Sequence, residues 1–338
     1  MTTLRTLVIA VATLALATPG GAGEPVTFAY SQLGYIGHLP WTVAIGQKYF
    51  EEQGLEVKGY NFESGGKSVA AVLGGSADFS ANALEHAIKA KAQGKDLVYV
   101  FSSTRAPAWG LAVSSAHRNE IRSVADLKGK TVGVSGIGVA SHVLLNYMLV
   151  KAGVDPRDVK IVAVGISTLP PALEGGKIVA GMAAEPFFSR MVKKGTAFSL
   201  GNMNTLKDTA AILGGEYAFS GAITRPDVIE KRPHQVQKVV TALVKAAHFI
   251  HTRTPDQVAA AIPAEYAGDR AQLAETIAGV KEAFTPAGMV TTPGVDTLMR
   301  VLMAFPDVFK PGQKVDVAST YDMRFVQQAI KDLKITTP

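Results

Sequence analysis

The chain has 338 residues, of which 47% are hydrophobic, 18% charged and 7% aromatic, a make-up that excludes disordered and fibrous classes. Single hydrophobic cores stop growing at roughly 250–300 residues, so this length favours two lobes over one continuous core. The net charge of +6 is spread in ones and twos with no run of five basic residues, which gives nucleic-acid binding no support while mildly assisting the approach of anions.

At the N-terminus Arg5 precedes an apolar run over 7–17 (LVIAVATLALA) and then small residues, the layout of a secretory leader. Eleven apolar residues fall short of the roughly 20 that a spanning helix needs. Cleavage is expected after Ala17 or at the Gly21-Ala22-Gly23 triplet, and 1–23 is assigned to the signal peptide. The chain contains no cysteine, so neither a disulfide framework nor a lipidated thiol is available. The mature protein is therefore expected free in a Gram-negative periplasm, without a lipid anchor.

Beyond the leader, short runs rich in Val, Ile and Phe alternate with helical patterns, the mark of βαβ units feeding mostly parallel sheets. Strands are predicted over 26–30, 55–60, 77–80 and 97–102, with helices over 40–53, 67–74 and 83–93 between them. A second series begins near Trp109, with strands over 110–114, 131–134, 159–164 and 178–182 and helices over 139–152, 170–174 and 187–194. From Tyr217 the chain turns helical, over 233–252, 272–284, 294–303 and 321–333. No solenoid period or low-complexity tract appears.

Several segments, taken in order, carry a resemblance. They are Glu63-Ser64-Gly65-Gly66, Val72-Leu73-Gly74-Gly75-Ser76-Ala77-Asp78-Phe79, the stretch DLKGKTVGVSGIGVASH over 126–142, Ala172-Leu173-Glu174-Gly175-Gly176-Lys177, and Ala184-Glu185-Pro186-Phe187. Ile223-Thr224-Arg225-Pro226 and Lys231-Arg232-Pro233-His234 extend the series. Together the chain resembles the NitT/TauT-type (nitrate, sulfonate and taurine) solute-binding proteins of ABC importers, which have the type II periplasmic binding fold. The resemblance implies an α/β protein of two lobes, each a mostly parallel sheet flanked by helices, joined by two hinge crossings near Pro107 and 214–217. Lobe 1 would comprise 24–106 and 218–338, and lobe 2 would comprise 107–217.

In such sheets ligands sit beyond the carboxyl ends of strands, where helix starts present unsatisfied N–H groups. Four loops qualify: 31–38, 64–68, 81–85 and 135–142. From the first come Gln32, Tyr35 and His38 as groups to wall and orient a ligand; from the second Ser64, Gly65, Gly66 and Lys67, whose glycines let backbone approach an anion closely. Asn82 represents the third. Ser135, Gly136, Gly138, Ser141 and His142 represent the fourth, where Ser141 replaces the third glycine of a dinucleotide fingerprint and no acidic residue ends the next strand. Arg105 could pair with a sulfonate or carboxylate, Trp109 and Tyr217 could form walls, and Trp41 reads equally as wall or core. The resemblance adds Glu185 on lobe 2.

The seven histidines are dispersed without metal-ligand spacing, and no nucleophile elbow or Walker motif occurs. Relatives that make thiamine precursors rely on a cysteine-containing motif that this chain lacks. The expectation is a non-enzymatic, cofactor-free and metal-free monomer that binds a small organic anion and delivers it to an ABC permease and its ATPase. Nitrate, taurine, alkanesulfonates, aromatic acids and pyrimidine precursors all lie within the resemblance; an exported enzyme or a sensor-type binding protein on the same fold is the alternative.

Overall fold

The computed structural model describes residues 23–305, 308–310 and 312–336, so the leader assigned to 1–23 lies outside the described residues but for Gly23. The described strands are β1 (Glu24–Tyr30), β2 (Leu55–Asn61), β3 (Phe79–Ala83), β4 (Val98–Ser102), β5 (Trp109–Ser114), β6 (Thr131–Val134), β7 (Lys160–Ala163), β8 (Ala180–Ala184), β9 (Ala197–Asn202) and β10 (Ser220–Thr224). They form two five-stranded sheets, ordered β2-β1-β3-β10-β4 and β7-β6-β8-β5-β9. The plan is the same in both. In each sheet the first parallel strand lies between the second and third, and one antiparallel strand separates the third from the last.

The central strands β3 (FSANA), β8 (AGMAA) and β10 (SGAIT) are buried throughout, as strands covered by helices on both faces must be. Small residues dominate them because each face receives a helix. In the first sheet Phe28, Trp41, Phe50 and Phe79 form an aromatic core, with Trp41 edge-on to Phe28 at a centroid separation of 4.9 Å. Trp41 is fully buried there, which settles it as core. The predicted helix over 40–53 is two helices, Leu39–Gly46 and Tyr49–Glu52, broken at Lys48 with φ 57°. Residues 197–202 and 206–213 form β9 and a helix (Leu206–Leu213), which have no counterpart among the elements predicted from sequence.

The backbone leaves the first sheet after Ser102, enters the second at Trp109, and returns through 214–219 into β10. These two passages hydrogen-bond to each other: Ser103 N–H donates to the Ser220 carbonyl at 2.7 Å, and Tyr217 N–H to the Arg105 carbonyl at 2.8 Å. The return is pinned to the first sheet by Arg225, which donates to the carbonyls of Val72 and Ala77, and by an Arg232–Asp78 ion pair at 2.5 Å. Asp78 also accepts from Thr27 N–H at 2.9 Å, so the Gly-Gly-Ser-Ala-Asp-Phe motif is a structural clamp. The helix Pro233–Thr252 packs against the helices Leu39–Gly46 and Arg324–Asp332. Further on, the C-terminal segment also reaches the second sheet's helices, with Phe305 edge-on to His142 and Arg300 donating to the Leu213 carbonyl.

Candidate ligand-binding site

Where the two sheets meet, a cavity of about 30 Å³ is lined from both sides. The first sheet contributes Ser31, Tyr35 and His38 after β1, Asn82, Ala83 and His86 around the end of β3, and Gly65 at a helix start; the second contributes Ser135, Val139, Ala140 and Ile166. Trp109, Phe219 and Ser220 complete it, and topology explains their presence. β5 and β10 run antiparallel to their neighbours, so their first residues lie level with the carboxyl ends of the parallel strands.

Three helices begin at the cavity: Gly65–Leu73, Glu85–Ala92 and Ala140–Lys151. Their first-turn N–H groups have no partner within the helix and carry partial positive charge. In the cavity wall itself, His86 Nε2, Trp109 Nε1 and Ser220 Oγ are closed to solvent and have no hydrogen-bond partner among the described residues. Dry, unpaired polar atoms are rare in folded proteins. Three of them stand around this one cavity.

No lysine or arginine is among the lining residues, and burial keeps the histidines neutral. His38, whose Nδ1 lies 2.9 Å from the Gln32 carbonyl oxygen, is pushed down to about 4 by burial. His86 lies well below the ordinary range, through burial and the nearby Lys89 ammonium. Burial raises the Tyr35 phenol, which donates to the Pro107 carbonyl at 2.5 Å across the first passage. Asn82 donates to the Gly65 carbonyl at 2.8 Å and to Ser68 Oγ at 2.9 Å. Gly65 is closely surrounded: a Cβ there would stand 2.9 Å from both Asn82 Oδ1 and His86 Nε2, so those side-chain ends would have to shift.

Of the residues named from sequence, Tyr35, His38, Gly65, Asn82, Trp109 and Ser135 line the cavity. Ser141 supports Ser135, to which its Oγ lies 2.8 Å away. Ser64 and Gly136 face each other across the junction, since a Cβ on Gly136 would lie 3.1 Å from Ser64 Oγ. Gln32 stands beside the cavity and donates to Glu63 Oε1 at 2.9 Å. Gly66 and Lys67 are exposed. Gly138, with φ 75°, offers its carbonyl to Lys89 at 2.7 Å, and its N–H donates to His142 Nδ1 at 2.9 Å.

Arg105 sits in the first passage, 3.8 Å from Glu216, and Tyr217 is buried in the second. Neither lines the cavity. The fully buried Glu185 caps the helix Phe187–Lys194, accepting from Ser189 N–H, Ser189 Oγ and Asn204 Nδ2, and burial raises its carboxyl. Ser31, Ala83, Val139 and Ala140 belong to the loops named from sequence without being singled out there, whereas the lining residues outside those loops and not expected are His86, Ile166, Phe219 and Ser220. For the last two the available signal is position, at or just before the first residue of a strand returning antiparallel.

Two similarly ordered sheets joined by paired passages, with a cavity at their junction, define a type II periplasmic-binding architecture. The chain belongs to the NMT1/THI5-like family, whose profile matches residues 36–257. A Bordetella bronchiseptica RB50 protein of known structure is 30% identical and superposes with a TM-score of 0.86 over 94% of this chain and 99% of its own. The alkanesulfonate-binding protein SsuA from Xanthomonas axonopodis pv. citri, bound to MOPS, is 21% identical with a TM-score of 0.72 over 90% of this chain and 99% of its own, a likeness of fold alone. The 4-amino-5-hydroxymethyl-2-methylpyrimidine phosphate synthase of Schizosaccharomyces pombe is 28% identical over 148 residues, which span 44% of this chain and 41% of that enzyme. The NitT/TauT-type resemblance stands at the level of family and fold.

Proposed function

We propose that this protein is the periplasmic solute-binding component of an ABC importer, taking a small organic anion between its lobes and delivering it to a membrane permease and its ATPase. The observation that carries the reading is the junction cavity, where three helix starts converge and His86 Nε2, Trp109 Nε1 and Ser220 Oγ lack partners. Helix starts and neutral donors can hold an oxyanion without a countercharge, which suits a lining free of lysine and arginine. A protein of the same fold binds alkanesulfonates, which is why organic anions lead the compounds to be tried.

The site is proposed to comprise Tyr35, His38, Gly65, Asn82, Trp109 and Ser135 together with His86 and Ser220. The lobes are proposed to divide at the two passages. Thermal melting of the mature protein against taurine, ethanesulfonate, MOPS, nitrate, benzoate and uncharged pyrimidines tests this, because a ligand for the native state raises its melting temperature by mass action. At least one anion is expected to stabilise; stabilisation by uncharged or cationic compounds alone would reject the anion assignment. The pyrimidine phosphate synthase relative makes catalysis the second reading, and product formation from any stabilising compound would select it.

A further inference from the structure

We infer that the protein forms a two-fold symmetric dimer through the free edge of its first sheet, with strand β2 of one copy pairing antiparallel to β2 of a second. β2 is the longest edge strand, with seven residues against five in β4, four in β7 and six in β9. Its even-numbered residues face β1: Glu24 N–H donates to the Gly54 carbonyl at 2.8 Å, and Phe62 N–H to the Tyr30 carbonyl at 2.9 Å. Backbone groups alternate sides along a strand, so those of Leu55, Val57, Gly59 and Asn61 point outward, where they have no partner among the described residues. The sheet's other edge is not free in this way, since Asp322 N–H donates to the Tyr99 carbonyl of β4 at 2.9 Å. An unpaired edge is a template for a further strand.

Charge selects the partner. The nearby Glu24 and Glu52 are paired with Lys238 and Lys245, whereas the exposed Glu56 and Lys58 have no ion-pair partner among the described residues. On a two-fold axis through Val57, residue 56 of each copy stands opposite residue 58 of the other on the same face. Two Glu56–Lys58 pairs then form at the roughly 5 Å Cβ spacing of opposed residues. The adjacent registers set Glu56 against Glu56 or Lys58 against Lys58, which repel. The Val57 register also brings Leu55, Val57 and Gly59 opposite Gly59, Val57 and Leu55 of the second copy, so that their outward N–H and C=O groups can exchange hydrogen bonds. Charges on an edge ordinarily keep copies apart; here the order Glu-Val-Lys makes the edge complementary to itself. The passages to the second sheet join β4 and β10, beyond β1 and β3, so pairing at β2 does not involve them.

A seven-residue edge is a small interface, and interfaces below about 1,200 Å² give weak, transient association. Sedimentation velocity of the mature protein, from micromolar concentrations up to about 0.5 mM, should therefore show a dimer fraction that rises with concentration; a monomer throughout overturns the inference. Val57→Pro removes an outward N–H that no intramolecular bond uses, which an edge strand tolerates, and should abolish the dimer with the melting temperature close to the parent's. Glu56→Lys and Lys58→Glu, both at exposed positions, turn attraction into repulsion and should each weaken dimerisation roughly tenfold. They shift net charge in opposite directions, so a general charge effect cannot mimic both. Combined in one chain they exchange the two charges and should restore the dimer. If the proline unfolds the chain, the charge series alone decides. A dimer indifferent to Val57→Pro, single reversals without effect, or a double reversal as weak as either single one would each overturn the inference.

Discussion

Removing a polar atom that has no partner costs the folded protein little, since no bond is lost and a desolvation penalty disappears. Ser220 Oγ is such an atom. Ser220→Ala should therefore leave the ligand-free melting temperature unchanged or slightly raised, while weakening the bound anion by roughly three- to tenfold. A fall in melting temperature with unchanged affinity would show that the hydroxyl serves the core. The buried histidines give a pH dependence at the same scale. His38 titrates at about 4 when folded against 6.5 ordinarily, so the folded state binds fewer protons than the unfolded state between those values. Stability is thus fully present above about pH 6.5 and is lost as pH falls toward 4, at roughly a kcal/mol per pH unit; His86 acts in the same direction. His38→Gln, whose amide can still donate to the Gln32 carbonyl, should flatten that acid limb in melting curves collected from pH 7 to 4. An unchanged limb would mean that other groups set it.

Among the elements, β10 tolerates little change, because it lies between β3 and β4 and is buried throughout. A Cβ on Gly221 would collide with the Phe101 carbonyl oxygen and the Tyr99 hydroxyl, and backbone cannot yield as a side chain can. Gly221→Ala should destabilise by about 3 kcal/mol or more, read as a lowered urea midpoint or as loss of soluble protein. The sequence made other elements plain for physical reasons. The helix Pro233–Thr252 was legible from end to end because its apolar residues recur at helical spacing with proline at its first position. Around 40–53 the apolar run read as one helix because nothing in its periodicity signals that Lys48 takes a left-handed backbone. For the site, the rule placing ligands beyond strand ends located loops after β1, β3 and β6. It did not locate His86 or Ser220, whose roles depend on which distant strands become neighbours.

At the scale of the whole molecule, hydrogen bonds cross the junction between the two sheets. Lys89 Nζ donates both to the fully buried Glu85 carboxylate at 2.6 Å and to the Gly138 carbonyl of the opposite side at 2.7 Å. Ser167 Oγ donates across to Glu63 at 2.9 Å. Opening the lobes breaks both contacts, so they lower the free energy of the closed state and should slow escape of a guest. Lys89→Met alone would strand the Glu85 charge, at a cost of several kcal/mol that has nothing to do with closure. The paired change Glu85→Gln with Lys89→Met removes both charges, and Ser167→Ala removes the second contact without touching either. The double variant should release ligand roughly tenfold faster in stopped flow and give a larger radius of gyration in X-ray scattering without ligand. Ser167→Ala should move both quantities the same way by less. If release and scattering match the parent protein in both variants, the lobes are held together by the hinge and its packing, and these cross-junction bonds only accompany closure.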